Sequence, residues 1–242
     1  MPSETVNYEA DGLAMKGQLF RPAGAAGPRP GVLVFPEAFG LGEHALSKAE
    51  RVAGLGYVAL ACDLHGNALQ VTDMEKMMGL LGPVASSPAK TRARAKGAFD
   101  ALTAQPGVDA AKIAAIGYCF GGTMSLELGC SGAGLAGIAG FHSGLASVTA
   151  ADAGNIKGRV LLCLGADDPG ITPEHRAAFE AALKAGGVSW DLHLYGKVVH
   201  SFTNPKADAL GRPDFARYDP HADAESFEAM RRLFEEVLDK AG

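Results

Sequence analysis

The apolar run Ile113-Ala114-Ala115-Ile116 leads directly into Gly117-Tyr118-Cys119-Phe120-Gly121-Gly122, and then into Thr123-Met124-Ser125-Leu126. These residues demand a buried strand, a sharp turn and a helix in immediate succession, which few folds supply. Glycines stand two before and two after Cys119, the spacing of a nucleophile elbow with cysteine where serine is usual. The central residue of such a turn takes a strained backbone conformation. A side chain at either flanking position would collide with the neighbouring strand or helix. The following helix aims its free N–H groups at the same spot, which favours a thiolate and any oxyanion formed there. Cys119 is therefore a candidate nucleophile. The alternative is a buried cysteine beside an ordinary strand-to-helix turn.

A nucleophilic thiol needs a base, and the base needs an orienting carboxylate, in the chain order nucleophile, acid, histidine. Downstream, Val160-Leu161-Leu162-Cys163-Leu164 reads as a buried parallel strand that ends in Gly165-Ala166-Asp167-Asp168-Pro169-Gly170. A carboxylate just past such a strand lies on the face where open α/β sheets bind their ligands. Asp168, three residues after the closing glycine, is preferred, and Asp167 suits a turn former better. Trp190, Leu192 and Leu194 then alternate with polar neighbours, as in a half-buried strand. His200 follows in the loop beyond that last strand, where a base can reach over the elbow.

With these segments the chain resembles the dienelactone hydrolase family of the α/β-hydrolase fold over nearly all of its length. The resemblance rests on Phe35-Pro36-Glu37-Ala38-Phe39-Gly40, Gly117 through Gly122, Gly165 through Pro173, and His200-Ser201-Phe202. It implies a Cys119–His200–Asp168 triad that acts on esters or lactones. It also implies that Glu37 lies against the thiol and that the backbone N–H groups of Ala38 and Phe120 form the oxyanion hole. One donor of such a hole comes from the residue after the nucleophile and the other from the loop after the third strand, as these two positions do. A carboxylate beside a thiol disfavours the thiolate, so Glu37 is expected to protect Cys119 from oxidation until substrate arrives.

At two positions the chain departs from the branch of the family that acts on dienelactone itself. There, arginines hold the substrate carboxylate, one shortly after an Asp-Leu pair and one four residues after the histidine. Here Asp63-Leu64 leads to His65-Gly66-Asn67, and Asn204 stands four residues after His200. Without a bidentate guanidinium an anionic substrate loses its strongest orienting contact. A neutral small-molecule ester or lactone is expected instead. Arg92 and Arg94 lie in a helical context that suits surface positions. The same chemistry extends to phosphorus, so an activated phosphotriester is a further expected substrate.

Composition narrows the classes. A length of 242 residues with 48% hydrophobic content suits one α/β domain spanning 1–242. A net charge of −5 argues against a nucleic-acid surface or a polybasic membrane contact. No apolar run approaches a membrane span, and the first residues show no basic then apolar leader pattern. The four cysteines, Cys62, Cys119, Cys130 and Cys163, have neither metal nor disulfide spacing. No metal or cofactor is expected, and dependence on a free thiol suits a reducing cytoplasm. A monomer or homodimer is expected.

The order of elements predicts a predominantly parallel eight-stranded sheet with helices on both faces. An entry hairpin covers 4–9 and 15–20. Further strands fall at 31–36, 57–61, 112–117, 135–141, 159–164 and 188–195, with helices near 44–54, 88–104 and 173–186. Phe227, Met230, Leu233, Phe234, Val237 and Leu238 share one face of a closing helix. The segment 67–88 breaks the alternation. Its Met74, Met77 and Met78 mark either a lid over the strand ends or an ordinary helix packed on the body. Phe39, Tyr118 and Phe202 neighbour the proposed chemistry and are expected to line an apolar, partly aromatic substrate pocket. His142, just past a strand, is expected to be structural. Two functional classes follow, a cofactor-free hydrolase and a catalytically silent binding protein of the same fold, with acyl transfer to an acceptor other than water as the enzymatic alternative. Retention of Cys119, Asp168 and His200 together favours the enzyme.

Overall fold

Alternation of strand and helix governs the whole chain. The computed structural model describes residues 1–24, 27–145 and 148–239. Strands β1 (Ser3–Ala10) and β2 (Leu13–Phe20) form the entry hairpin. Asp11 and Gly12 take φ of 50° and 72°, as a two-residue turn matched to strand twist requires. There follow β3 (Arg29–Phe35), α1 (Glu43–Ala53), β4 (Val58–Ala61), α2 (Met74–Ala85), α3 (Pro88–Thr103), β5 (Val108–Tyr118) and α4 (Phe120–Cys130). The chain closes with β6 (Leu135–Phe141), the short α5 (Ala150–Ala153), β7 (Arg159–Gly165), α6 (Pro173–Ala185), β8 (Trp190–Tyr195) and α7 (Pro220–Phe234).

The eight strands make one sheet in the order β1-β2-β4-β3-β5-β6-β7-β8. Strand β2 alone runs opposite to the other seven strands, pairing antiparallel with β1 and β4, and β4, β3, β5, β6, β7 and β8 pair in parallel. From β3 the chain moves outward on one side to β4 and then returns to the other side for β5. That reversal is a topological switch point, where open α/β sheets form their ligand crevice. The loop after β3 and the turn after β5 therefore emerge side by side. Strand β5 starts earlier than its apolar run suggests, because Val108 and Asp109 already pair with Arg29 and Pro30 ahead of a register shift.

Buried side chains form two layers, one on each face of the sheet. Val32 to Phe35 and Ile113 to Ile116 are wholly buried, so these central strands read as continuous apolar runs. Helices α3, α4 and α6 cover one face, while α1 and α7 cover the other. Three helices begin with a polar cap followed by proline: Ser87-Pro88, Thr172-Pro173 and Asp219-Pro220. Each cap side chain accepts an N–H that the first turn would otherwise leave unpaired, and proline costs nothing at a position with no donor to lose. No helix among the described residues is long and apolar enough to cross a membrane.

The elbow glycines are required by contact. A Cβ on Gly117 would lie 2.0 Å from the Gly121 carbonyl oxygen, and one on Gly121 would lie 2.3 Å from that of Phe35. Both obstacles are backbone, so neither gives way without moving α4 off β3 and β5. Gly121→Ala is expected to cost roughly 3 kcal/mol of stability. Urea unfolding checks this, and a loss below about 0.5 kcal/mol, the scatter of surface substitutions, would contradict it.

Candidate active site

Cys119 occupies the turn between β5 and α4 with φ 55° and ψ −120°, a conformation that side-chain-bearing residues avoid. Its N–H is tied to the Phe141 carbonyl at 3.0 Å and its own carbonyl accepts from Gly122 at 3.1 Å. The turn is thus held from both sides. The first N–H groups of α4 lack acceptors within the helix and face the sulfur's end of it. Cys119 is half-buried, whereas Cys62, Cys130 and Cys163 are buried. Burial pushes the thiols of Cys130 and Cys163 up to about 12, and that of Cys62 higher still. Those three thiols are poor thiolates at neutral pH.

Asp168 and His200 meet. His200 Nδ1 donates to Asp168 Oδ2 at 2.7 Å, and the Asp168 side chain is fully buried. Asp168 Oδ1 accepts the Gly170 N–H at 2.8 Å, which fixes the carboxylate plane. Asp167 is exposed, and its N–H serves the turn by bonding Val198 O. Burial works against a charged His200. The charge and hydrogen bond of Cys119, together with those of Asp168, outweigh it and hold the imidazolium well above its ordinary range.

The ring of His200 is clamped by His142, which its place just past a strand marks, and by Phe215, which no local sequence pattern announces. Phe215 stacks on it at 5.2 Å and 23°, and His142 meets it edge-on at 5.1 Å. Below it His142 is fully buried, with Nε2 at 2.8 Å from Thr203 Oγ1. Burial, then the neighbouring His200, pushes the His142 pKa well below the usual range, so it stays neutral. The backbone adds a second restraint. His200 N donates to Phe215 O at 2.9 Å, and Arg217 N donates to His200 O at 3.1 Å. The strap 207–217 is thereby paired to the histidine as a short parallel bridge to Ala216.

Ala38 and Phe120 stand where the oxyanion donors are expected. Ala38 is buried in the loop after β3, and Phe120 opens α4. His65 Nε2 donates to the Ala38 carbonyl at 2.8 Å, and the Gly40 N–H closes a turn onto Glu37 O at 3.0 Å. The Glu37 carboxylate accepts from Ser201 Oγ at 3.0 Å and Asn204 Nδ2 at 2.6 Å, with His44 Nδ1 at 3.5 Å, and these partners fix its orientation. Both segments that lack arginine touch the oxyanion loop, the one after Asp63-Leu64 through His65 on Ala38 and the one after His200 through Asn204 on Glu37.

Two cavities border these loops. One of about 510 Å³ is lined by Glu37, Phe39, His44, Val71, Asn204 and Leu210. The other, of about 670 Å³, is lined by Phe120, Thr123, Glu127, Ile171, Ala178 and Phe179 among others. Phe39 is on a cavity wall as expected. Tyr118 and Phe202 are not, which corrects the expectation for both. Tyr118 is 1% exposed and stacks on Phe141 at 4.8 Å, and Phe202 is fully buried against His142 and Tyr195. Tyr118 ends its strand pointing into the layer under α1. The reversed backbone at Ser201, φ 54°, turns Phe202 into the same layer. In the 67–88 segment, α2 buries Met77 and Val84 and leaves Met74 and Met78 exposed. Gln70 to Thr72 line the smaller cavity, and Ala85 with Ser86 line the larger. Arg92 pairs with Glu127 and Asp152, and Arg94 with Asp11, so neither is a free cation for substrate.

Comparison with known proteins places this geometry. The model of the dienelactone hydrolase family matches residues 15–238. The chain is similar to the solved structure of a dienelactone hydrolase-like promiscuous phosphotriesterase from metagenomic libraries, with 45% identity, a TM-score of 0.94 and 98% of each chain covered. Among curated proteins it is 29% identical over 186 residues to a provisionally named carboxymethylenebutenolidase of Methylorubrum extorquens, a match covering 73% of this chain and 64% of that protein, under two thirds of its length. It is also 26% identical to Protein usf of Aquifex pyrophilus, over 97% of this chain and 99% of that one.

Proposed function

Because the chain belongs to the dienelactone hydrolase family and is a hydrolase, we propose that it cleaves neutral esters or lactones through Cys119, His200 and Asp168. One observation carries this reading: a partly exposed thiol in a strained elbow after β5, and a histidine after β8 whose Nδ1 is held at 2.7 Å by a buried carboxylate after β7, stand at the same ends of parallel strands. The Cys119 thiolate attacks the carbonyl carbon, and the oxygen that becomes negative is held by the N–H groups of Ala38 and Phe120. Collapse breaks the carbon–oxygen bond, and the leaving oxygen takes the proton of the His200 imidazolium. A thioester remains on Cys119. Water then gives its proton to His200 as it attacks the thioester carbon, and collapse of that second intermediate breaks the carbon–sulfur bond. The acid leaves and the thiolate returns beside the imidazolium. The test is rapid acid quench during turnover of a slow ester. Intact mass is expected to show the protein plus one acyl group, mapped to the peptide bearing Cys119. Quenched enzyme without that adduct, at a substrate whose deacylation is rate-limiting, would count against the intermediate.

A neutral substrate is favoured because neither 65–67 nor position 204 carries an arginine to hold a carboxylate, and Asn204 is bonded to Glu37. The 45% identical promiscuous phosphotriesterase supports extension to phosphorus. Attack of the thiolate on an aryl phosphotriester expels the aryloxide and leaves a phosphorus–sulfur bond. A thiolate leaves more readily than an alkoxide when water attacks, so Cys119 turns over where serine stalls. Wild type is expected to hydrolyse an aryl phosphotriester slowly but through many turnovers, and Cys119→Ser to be inactivated after one. A single stoichiometric burst from wild type would restrict the substrates to carboxylic esters and lactones.

A further inference from the structure

The loops that carry the proposed triad divide between the two cavities. The larger one takes its walls from the first turn of α4, through Phe120 and Thr123, and from Ile171, three residues beyond Asp168. The smaller one takes its walls from the oxyanion loop, through Glu37 and Phe39, and from the segment after His200, through Asn204 and Leu210. Acyl-transfer chemistry distinguishes the two sides. The leaving oxygen must collect its proton from His200, so the group attached to it extends along the chain that follows His200. The acyl carbon is bonded to the sulfur of Cys119 at the head of α4, so its substituent extends along the first turn of that helix.

From this division, and resting on the Cys119 reading above, we infer that the larger cavity is an acyl subsite for an uncharged, apolar acyl group, and that the smaller cavity receives the alcohol. The wall chemistry fits that class. Ile171 and Phe179 are buried apolar side chains, and Phe120 and Ala178 extend the apolar surface. Two of the wall's three hydroxyls are committed, Thr123 Oγ1 to Gly144 O at 3.0 Å and Thr91 Oγ1 to Val84 O at 3.0 Å, and Ser86 and His175 complete its polar part. Glu127 is buried and held by Arg92 at 2.6 Å, while the same guanidinium also bonds Asp152 at 2.7 Å. One cation between two carboxylates leaves a negative remainder under the cavity. An acyl group ending in its own carboxylate is therefore repelled, and one without charge is accepted.

The test uses p-nitrophenyl acetate, butyrate, hexanoate, octanoate and hemisuccinate, with a second series of alkyl butyrates that varies only the alcohol. Wild-type kcat/KM is expected to rise about tenfold or more from acetate to octanoate and to be poor for the hemisuccinate. Ala178→Trp places an indole into the larger cavity from an exposed helix position. It is expected to lower the octanoate-to-acetate ratio by about tenfold or more and to leave the ranking of alcohols unchanged. Leu210→Trp, on the smaller cavity, is expected to do the reverse. A flat wild-type acyl series, a preference for the hemisuccinate, or Ala178→Trp changing the alcohol ranking in place of the acyl ratio would each overturn the assignment. Acetate turnover in Cys119→Ala separates the two levels: its persistence sinks the nucleophile itself, whereas its loss leaves the subsite question to the ratios.

Discussion

Replacing Cys119 by alanine is expected to reduce ester turnover by about five to six orders of magnitude, the scale seen when a hydrolase nucleophile is deleted. The residual rate would come from oxyanion donors and binding, which alone retain about 10³–10⁴ over water. The contrast with the other thiols makes the prediction sharp. Cys62 and Cys163 are buried with raised pKa values, so Cys62→Ala and Cys163→Ala are expected to leave turnover largely intact. Initial rates on p-nitrophenyl butyrate, with folding checked by circular dichroism, decide it. Full activity in Cys119→Ala would remove the basis of the proposed function.

The second large effect concerns the two adjacent aspartates. Asp168→Asn is expected to cost about 10³–10⁴ in kcat, and Asp167→Asn little. The hydrogen bonds explain the difference. Asp168 accepts two donors, the N–H of Gly170 on Oδ1 and that of His200 on Oδ2. An asparagine has one oxygen and one NH₂ group, so one donor must face another donor and the imidazole loses its tautomer or its place. Exposed Asp167 has no such burden. The sign of the accompanying pKa change is fixed as well. Asp168 is among the groups that raise the His200 pKa, so its neutralisation moves the His200 titration to lower pH, which NMR of the imidazole protons would record. His200→Ala is expected to lose several orders of magnitude of turnover. The opposite ranking of Asp167 and Asp168 would mean that the orienting carboxylate has been misassigned.

Much of this architecture is written locally. The elbow is legible because its glycines are demanded by contacts a few residues away. The strands are legible because parallel strands covered on both faces become unbroken apolar runs. Spacing after Gly165 separates Asp168 from Asp167, and the cap-proline pairs mark three helix starts. What failed to show depends on partners far along the chain. Glu37 neighbours the oxyanion loop in sequence, yet its orientation is set by Ser201 and Asn204, 164 and 167 residues away. Tyr118 and Phe202 sit close to chemically important residues, but Tyr118 ends its strand facing the layer under α1 and the reversed backbone at Ser201 turns Phe202 into that same layer, so proximity in sequence misreads them as pocket walls. Phe215 has no signature at all, and His65 shows in the sequence only as part of a segment without arginine, since what recruits them is a ring face and a carbonyl presented by distant segments.

The bridge between His200 and Ala216 has a consequence for how such a protein would lose function. The strap that clamps the imidazole lies outside the main sheet and is largely exposed from Asp208 to Asp214. Segments of that kind open with a smaller free energy than the core beneath them. Each opening would release His200 while β3, β5 and α4 remain native, so catalytic readiness is governed by a local equilibrium of its own. Heat or mild denaturant would then silence a population of molecules whose secondary structure is still whole. Stiffening 207–217 would extend the working range without strengthening the core.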